Sequence, residues 1–247
     1  MGEIIAILSG KGGTGKTSVC AGVATALAQL GESVLCIDCD IGLRNLDISL
    51  GLSDSSALSF RDVSEGGYDL SQAAEHPQYP KLRFLTAPVN CAPEEISAEA
   101  FGHMLRKARN QFDYIFLDAP AGIDAGFRLC ASFADRVVLV TNFDPASIRD
   151  ASRTGELLEL MGKERVRLVV NRIDPRMFDT MAITVDDIMD QAGLPLLGIV
   201  PEDVNMVLAA AFRKSLLERT KKGAAAACRR IAKRIQGLPV PVSLGNK

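Results

Sequence analysis

The stretch Gly10-Lys11-Gly12-Gly13-Thr14-Gly15-Lys16-Thr17 lies between a short apolar run, Ile4 to Leu8, and a segment with apolar residues at helical spacing. Those residues are Val19, Val23, Leu27 and Leu30, and Gly31 stops the pattern. Strand, glycine loop and helix in that order make a phosphate-binding loop, bracketed by Gly10 and Gly15 and closed by Lys16-Thr17. The glycines let backbone N–H groups of residues 10–17 turn inward around phosphate oxygens. The helix that follows presents its unbonded amides to the same charge. Lys16 can reach the β- and γ-phosphates of a nucleoside triphosphate, and the Thr17 hydroxyl can hold Mg²⁺. A dinucleotide site would leave Lys16-Thr17 without a role.

Lys11 is not needed to fold such a loop. It reads either as a solvated lysine or as a cation that reaches across from a second subunit. In the second case it neutralises charge on the transferred phosphoryl group, as an arginine finger does.

Working outward, Val34 to Ile37 is the next buried strand, and it delivers Asp38 and Asp40 at its carboxyl end. The result is a parallel βαβ unit. With one residue between them, the two carboxylates tend to share a face. One is placed to support a metal and the other to orient an attacking water, without the spacing saying which. Tyr114 to Leu117 is a strand that ends in Asp118, the position from which a carboxylate holds Mg²⁺ through its water shell. Ala119-Pro120-Ala121-Gly122 follows as a kinked loop in which Gly122 is the candidate backbone donor to a γ-phosphate. His76 and His103 receive no function.

Further strands are expected at Leu82–Thr86, Arg136–Thr141, Val166–Val170 (ending at Asn171) and Leu196–Val200. Helices are expected at Ala98–Asn110, Ala146–Met161, Thr184–Gln191, Val204–Arg219 and Ala224–Gln236, with short helix and loop mixed between Asp54 and Pro80. Alternating strands and helices, with polar residues at strand carboxyl ends, predict an α/β P-loop NTPase fold. Its sheet is mainly parallel and twisted, with helices on both faces. One domain is expected over residues 1–247, with basic C-terminal helices at about 204–236 and a non-helical tail at 238–247.

With 47% apolar and 23% charged residues, the chain can bury a sizeable core. The absence of tryptophan argues against a stacking platform for single-stranded nucleic acid. Cys36 and Cys39 have a metal-site gap, but they close an apolar strand and no second pair follows. Buried or incidental thiols are therefore expected, not a disulfide or a metal site. No apolar run reaches the roughly 18 residues of a membrane span, and nothing after Met1 resembles a signal peptide. A reducing, cytoplasmic setting is expected.

Charge is unevenly spread. Nine basic residues and one acidic residue, Glu218, lie between Arg213 and Arg234, whereas the whole chain carries −2. On the last helix Ala224, Ala227, Cys228, Ile231 and Ile235 share one side, and Arg229, Arg230, Lys233 and Arg234 share the other. The basic side reads as a solvated face or as a surface for anionic lipid or DNA phosphate.

Taken together, Ser9–Thr17 (SGKGGTGKT), Ile37–Asp47 (IDCDIGLRNLD), Asp118–Asp124 (DAPAGID), Thr141–Asp150 (TNFDPASIRD), Asn171-Arg172 and Gly198–Asp203 (GIVPED) resemble the MinD/ParA family of deviant Walker A ATPases. The likeness extends to about Val240 and is weak between Asp54 and Lys81. It implies an ATP- and Mg²⁺-dependent hydrolase that works as an ATP-dependent homodimer. Lys11 would then contact phosphate across the dimer, Asp38 and Asp118 would support the metal, and Asp40 would place the hydrolytic water. Asn171 would contact adenine and Pro201, Glu202 and Asp203 would close over the base, while Asp150 would lie near the surface used by partners.

The resemblance further implies placement of the bacterial division site, a MinC-like inhibitor and a MinE-like activator, and peripheral contact with an anionic membrane at the inner face of the cell. DNA or plasmid segregation, flagellar-number control and a nucleotide-switched scaffold without turnover are the alternatives. The family's amphipathic C-terminal membrane helix has no counterpart in Leu238-Pro239-Val240-Pro241-Val242, where two prolines disfavour a helix and no basic face exists.

Overall fold

Runs such as Ile4-Ile5-Ala6-Ile7-Leu8 have no polar alternate positions, and chains of that kind form strands covered on both faces. The computed structural model, which describes residues 1–52, 57–89, 91–181 and 183–243, bears this out. Strands β1 (Glu3–Leu8), β2 (Val34–Asp38), β3 (Ala74–Glu75), β4 (Leu82–Leu85), β5 (Tyr114–Asp118), β6 (Arg136–Thr141), β7 (Val166–Ile173) and β8 (Leu196–Pro201) form a single sheet. Its order is β3-β4-β2-β5-β1-β6-β7-β8, and every pairing is parallel except β3 with β4.

Helices cover both faces. Ile5 and Ile7 point into the layer that contains α1 (Lys16–Gln29), α2 (Leu46–Leu50), α10 (Leu216–Arg219) and α11 (Gly223–Ile235). Ile4, Ala6 and Leu8 point into the layer of α3 (Phe60–Ser64), α4 (Ala98–Ala108), α5 (Ala125–Phe133), α6 (Pro145–Leu160) and α8 (Val185–Ala192). Cys36 falls in the first layer and Cys39 in the second, so this CxxC pair cannot share a ligand. All six cysteines are free thiols.

The buried stripe of α11 is the one read from the sequence, with Ala224, Ala227, Cys228, Ile231 and Ile235 all inside. Its basic side is partly committed within the molecule. The Arg234 guanidinium donates to Leu197 O and Val240 O, Arg230 to Ser243 O, and Arg229 to Gln29 Oε1. These bonds hold the tail, which is non-helical from residue 238 to 243, the last described residue.

The structure departs from expectation in several places. The helix expected over Val204–Arg219 is two: α9 (Val204–Ala211) stops at a turn where Arg213 takes φ 53°, and α10 starts at the Ser215–Glu218 capping box. β7 runs through Asn171 to Ile173 with an irregularity after Val170, so Asn171 lies inside the strand, not beyond it. Helices α2, α5 and α7 (Pro175–Met181) and the edge strand β3 were not foreseen. α2, α7 and β3 are short, whereas α5 does carry a buried apolar set, Phe127, Cys130 and Ala131, directly after the glycine- and proline-containing loop.

His76, buried beside β3, ties this edge to the α2 layer. Nε2 donates to Leu50 O at 2.8 Å and Nδ1 accepts from Gln78 N–H at 3.1 Å. That pattern requires the neutral imidazole. Burial holds its pKa below the ordinary value, although the Leu50 carbonyl and Glu218, 3.8 Å away, pull the other way. Because the folded pKa is depressed, the unfolded chain binds more protons below about pH 6.5, and stability is lost as pH falls through that range. Asp38, whose carboxyl is raised to about 7, acts in the opposite sense over the same range. The His76 part is therefore read as the difference in urea-unfolding stability between the parent and a His76→Gln variant from about pH 8 to about pH 5. The parent should lose stability relative to that variant as pH falls, and a difference independent of pH would contradict the role of His76.

Candidate functional site

The register of the sheet assembles the site. β2 and β5 pair so that Asp38 stands opposite Asp118, and Ile7 of β1 is also level with Asp118. Two carboxylates are thus brought side by side at the carboxyl end of a buried sheet. Asp38 and Asp118 are both 1% exposed, so solvent does little to relieve their repulsion. Burial and the charge of Asp118 push the Asp38 carboxyl up to about 7, although the backbone N–H groups of Asp40 (2.9 Å) and Leu46 (3.1 Å) donate to it. Burial likewise raises Asp118, opposed by Lys16 and by the Thr17 hydroxyl.

Lys16 supplies the counter-charge. Its Nζ lies 3.0 Å from Asp118 Oδ1, in a pair that is almost wholly buried. Burial alone would lower the lysine, but the charge and hydrogen bond of Asp118 outweigh it and the net shift is upward. The result is a protonated lysine, a hydroxyl and two carboxyl groups at the base of a glycine loop. The donor set has more negative charge than one lysine balances, and it therefore fits a small hard cation. Oxygen ligands of this kind, few in number and completed by water and phosphate, suit Mg²⁺.

Two glycines of the loop are fixed by their neighbours. Gly15 sits at φ +80°, and a Cβ there would come within 2.3 Å of Asn171 Nδ2. The Asn171 amide is committed to the loop itself, donating to Thr14 O at 2.8 Å. At Gly10 a Cβ would lie 2.3 Å from Thr154 Oγ1 and 3.1 Å from Asp150 O. The backbone of α6 at Asp150 is therefore packed directly on the phosphate loop, which couples that helix to whatever the loop holds.

Other sequence-derived residues fall around this centre. Lys11, Gly12 and Gly13 are exposed on the loop, and Thr14 is buried. The charge of Lys11 reaches Asp144, which caps α6 through Ser147. Burial opposes ionisation of Asp144, yet the Ser147 hydroxyl and amide together with Lys11 hold its carboxyl below the usual range. Asp40 is half-buried and accepts from Leu43 N–H at 3.3 Å. Gly122 N–H donates to Ser9 O at 3.2 Å, a bond that must open before this amide can serve a phosphate. Pro201 ends β8, and the Glu202 carboxylate pairs with Arg172 Nε at 2.8 Å. Both carboxylate oxygens of Asp203 are used by backbone amides, one by Asn205 and one by Ala224.

Arg172 was quoted from the sequence but given no role. It occupies a left-handed conformation at φ 58° and donates to Gly13 O at 3.3 Å, forming a lip between the loop and Glu202. The signal was weak, because Arg172 follows Asn171 near the end of a strand that also carries Arg167. Asp144 was also missed, although the Asp144-Pro145-Ala146-Ser147 pattern is a helix start with proline in its first turn.

Comparison with known proteins agrees with this geometry. The CobQ/CobB/MinD/ParA nucleotide binding domain matches residues 5–216. The septum site-determining protein MinD of Bacillus subtilis is 38% identical over 250 residues, spanning 99% of this chain and 92% of that protein. In a MinC:MinD cell division protein complex from Aquifex aeolicus, a chain 37% identical superposes with a TM-score of 0.89, covering 98% of both chains. MinD from Pyrococcus horikoshii complexed with Mg-ADP is 26% identical with a TM-score of 0.82, covering 95% of this chain and 96% of that one. The chain belongs to the CobQ/CobB/MinD/ParA family of P-loop nucleotide-binding proteins, and within it the resemblance is to MinD.

Proposed function

We propose that this protein hydrolyses ATP to ADP and phosphate and uses that reaction to control a reversible homodimer that takes part in placing the division site. The observation that carries the reading is the buried Lys16–Asp118 pair at 3.0 Å, with Asp38 level with Asp118 beneath the glycine loop. A triphosphate competes with Asp118 for the Lys16 ammonium. When phosphate takes the lysine, the buried Asp118 carboxylate is left without its counter-charge, which a metal would then supply. Thr17, Asp38 and Asp118 would hold Mg²⁺, which when bound would neutralise phosphate charge.

The remaining work falls to this chain's own residues. Backbone amides of residues 10–17 cradle the phosphates, and the first turn of α1 adds its unbonded N–H groups. Asp40, on the loop above Asp38, orients the attacking water and accepts its proton. Gly122 donates to the γ-phosphate after leaving Ser9 O. Lys11, exposed on the loop, reaches the phosphates of a second copy and makes turnover depend on the dimer. Asn171, with Pro201, Glu202 and Asp203, borders the adenine. The α6 surface around Asp150 is where partners act, an inhibitor of the MinC kind and an activator of the MinE kind. Its packing on Gly10 gives such a partner a direct route to the loop.

Steady-state ATP turnover, measured with and without anionic liposomes or duplex DNA, tests the reading. Stimulation by lipid is expected. Stimulation by DNA alone would move the protein to segregation, and nucleotide-driven dimerisation without turnover would make it a scaffold.

A further inference from the structure

His76 takes no part in the nucleotide site, and it lies between Asp54 and Lys81, where the likeness to the family is weak. It is nevertheless 2% exposed and uses both ring nitrogens. Nε2 donates to Leu50 O at 2.8 Å, and Nδ1 accepts from Gln78 N–H at 3.1 Å. Its backbone is pinned as well. The N–H donates to Leu82 O at 2.9 Å, and the carbonyl accepts from Tyr79 N–H at 3.2 Å. The ring is thus a fixed donor at the edge of the sheet. A buried donor is costly unless it keeps its partner, so Leu50 O is fixed with it.

Leu50 is the last residue of α2, and Asp38 stands at the other end of that helix. Asn45, the N-cap residue of α2, gives the helix no side-chain bond. Leu46 N–H donates instead to Asp38 Oδ2 at 3.1 Å, while Asp40 N–H donates to Oδ1 at 2.9 Å. The sheet register separates the two ends. Leu82, which anchors His76, is level with Val34 at the start of β2, whereas Asp38 closes the same strand. α2 therefore runs along the sheet as a strut, with Asp38 at one end and His76 at the other. Leu46 and Leu50 are fully buried. Gly51 ends the helix at φ +80° against the Lys214 backbone, where a Cβ would meet the carbonyl carbon at 2.6 Å. A helix of five residues does not hold its own geometry, so its position is set by these contacts.

We propose that His76 is a positioning residue for the nucleotide site: by holding Leu50 O it keeps Leu46 N–H on Asp38, and so keeps the Asp38 carboxyl group aimed at the metal. The inference rests on the reading of Asp38 as a metal-supporting carboxylate. It gives the β3–β4 edge, which carries none of the phosphate-binding residues, a part in metal affinity. Groups that orient a metal carboxylate from behind change metal affinity by about 10–100-fold when they are removed. If His76 only ties the edge to α2, its loss lowers stability and leaves metal affinity alone.

Two substitutions separate these roles. His76→Gln puts an amide donor near the place of Nε2, whereas His76→Asn keeps an acceptor near the place of Nδ1 and lacks the donor to Leu50 O. In the nucleotide-free protein the Leu46 amide should exchange with deuterium at least about tenfold faster in His76→Asn, and within about threefold of the parent in His76→Gln. The amides of Ile5 and Ile7 in β1 report opening of the whole chain and should change less than Leu46. Binding of a fluorescent ATP analogue, with and without Mg²⁺, gives the second readout. The strengthening by Mg²⁺ should drop about tenfold in His76→Asn and be kept in His76→Gln, with metal-free affinity unchanged in both.

A Mg²⁺-dependent parent whose Leu46 exchange and Mg²⁺ response survive His76→Asn would overturn this inference alone. So would a Leu46 amide that speeds up only as much as Ile5 and Ile7, because His76 would then act through stability. A His76→Gln protein that behaves as His76→Asn does would show that the bond to Leu50 O is not the link. A parent whose affinity ignores Mg²⁺ would overturn the reading of Asp38 and this inference with it.

Discussion

A Lys16→Ala variant is expected to lose ATP binding by on the order of 100-fold and to lose stability as well. The two effects have one cause. In the wild type a single ammonium sits 3.0 Å from Asp118 Oδ1 and lies beneath the phosphate loop. Removing it takes the charge that meets the phosphates and also strands two carboxyl groups that are each 1% exposed. Breaking one side of a buried pair costs about 3–5 kcal/mol when the remaining charge is left uncompensated. Protonation of one carboxyl reduces that cost, so a loss of about 2 kcal/mol is the expected figure. Urea unfolding and titration with a fluorescent ATP analogue measure the two effects. Adding Asp118→Asn to Lys16→Ala should restore part of the stability and none of the nucleotide binding. If stability fell while ATP affinity did not change, Lys16 would be a structural lysine only.

An Asp40→Ala variant separates binding from turnover. Asp40 is half-buried on the loop after β2, and its side chain makes one long bond to Leu43 N–H. Its removal should leave the buried Lys16, Asp38 and Asp118 arrangement in place. ATP affinity should stay within a few-fold of the parent, whereas hydrolysis falls by about 10²–10⁴ if this carboxylate handles the proton of the attacking water. Hydrolysis at the parent rate would contradict its role. Loss of ATP binding together with turnover would mean that Asp40 acts by holding the 40–46 loop.

The fold was largely legible in the sequence because strands buried on both faces need unbroken apolar runs, and β1, β2, β5 and β6 have them. The phosphate loop was legible for a different reason: its glycines and Lys16-Thr17 have no comparable structural explanation. What the sequence concealed was paired geometry. Nothing in the spacing says that Asp38 and Asp118 stand level across β2 and β5, or that burial together with the charge of Asp118 raises Asp38 to about 7. Asn171 could be marked, but not its bond to Thr14 O, which depends on β7 continuing past a polar residue.

The helical C-terminal region shows the same limit. Apolar spacing from Val204 onward suggested one long helix, but the Ser215-Leu216-Leu217-Glu218 capping pattern was present in the sequence and marks the break. The amphipathic stripe of α11 was correct, whereas the fate of its arginines depended on where the following tail folds back. Asp203 makes a related point. The resemblance marks it as closing over a base, and nothing in the spacing shows that its carboxylate also fastens the starts of two helices.

The central claim is that ATP bridges two copies of this chain through Lys11. Light scattering on the Asp40→Ala protein, compared in Mg-ATP and Mg-ADP, tests it most directly because slow hydrolysis preserves the ATP state. The account predicts that the 26.4 kDa mass of one chain doubles in ATP only, and that adding Lys11→Ala abolishes the doubling while ATP still binds. A single-chain mass in both nucleotides, or doubling that persists without Lys11, would contradict it.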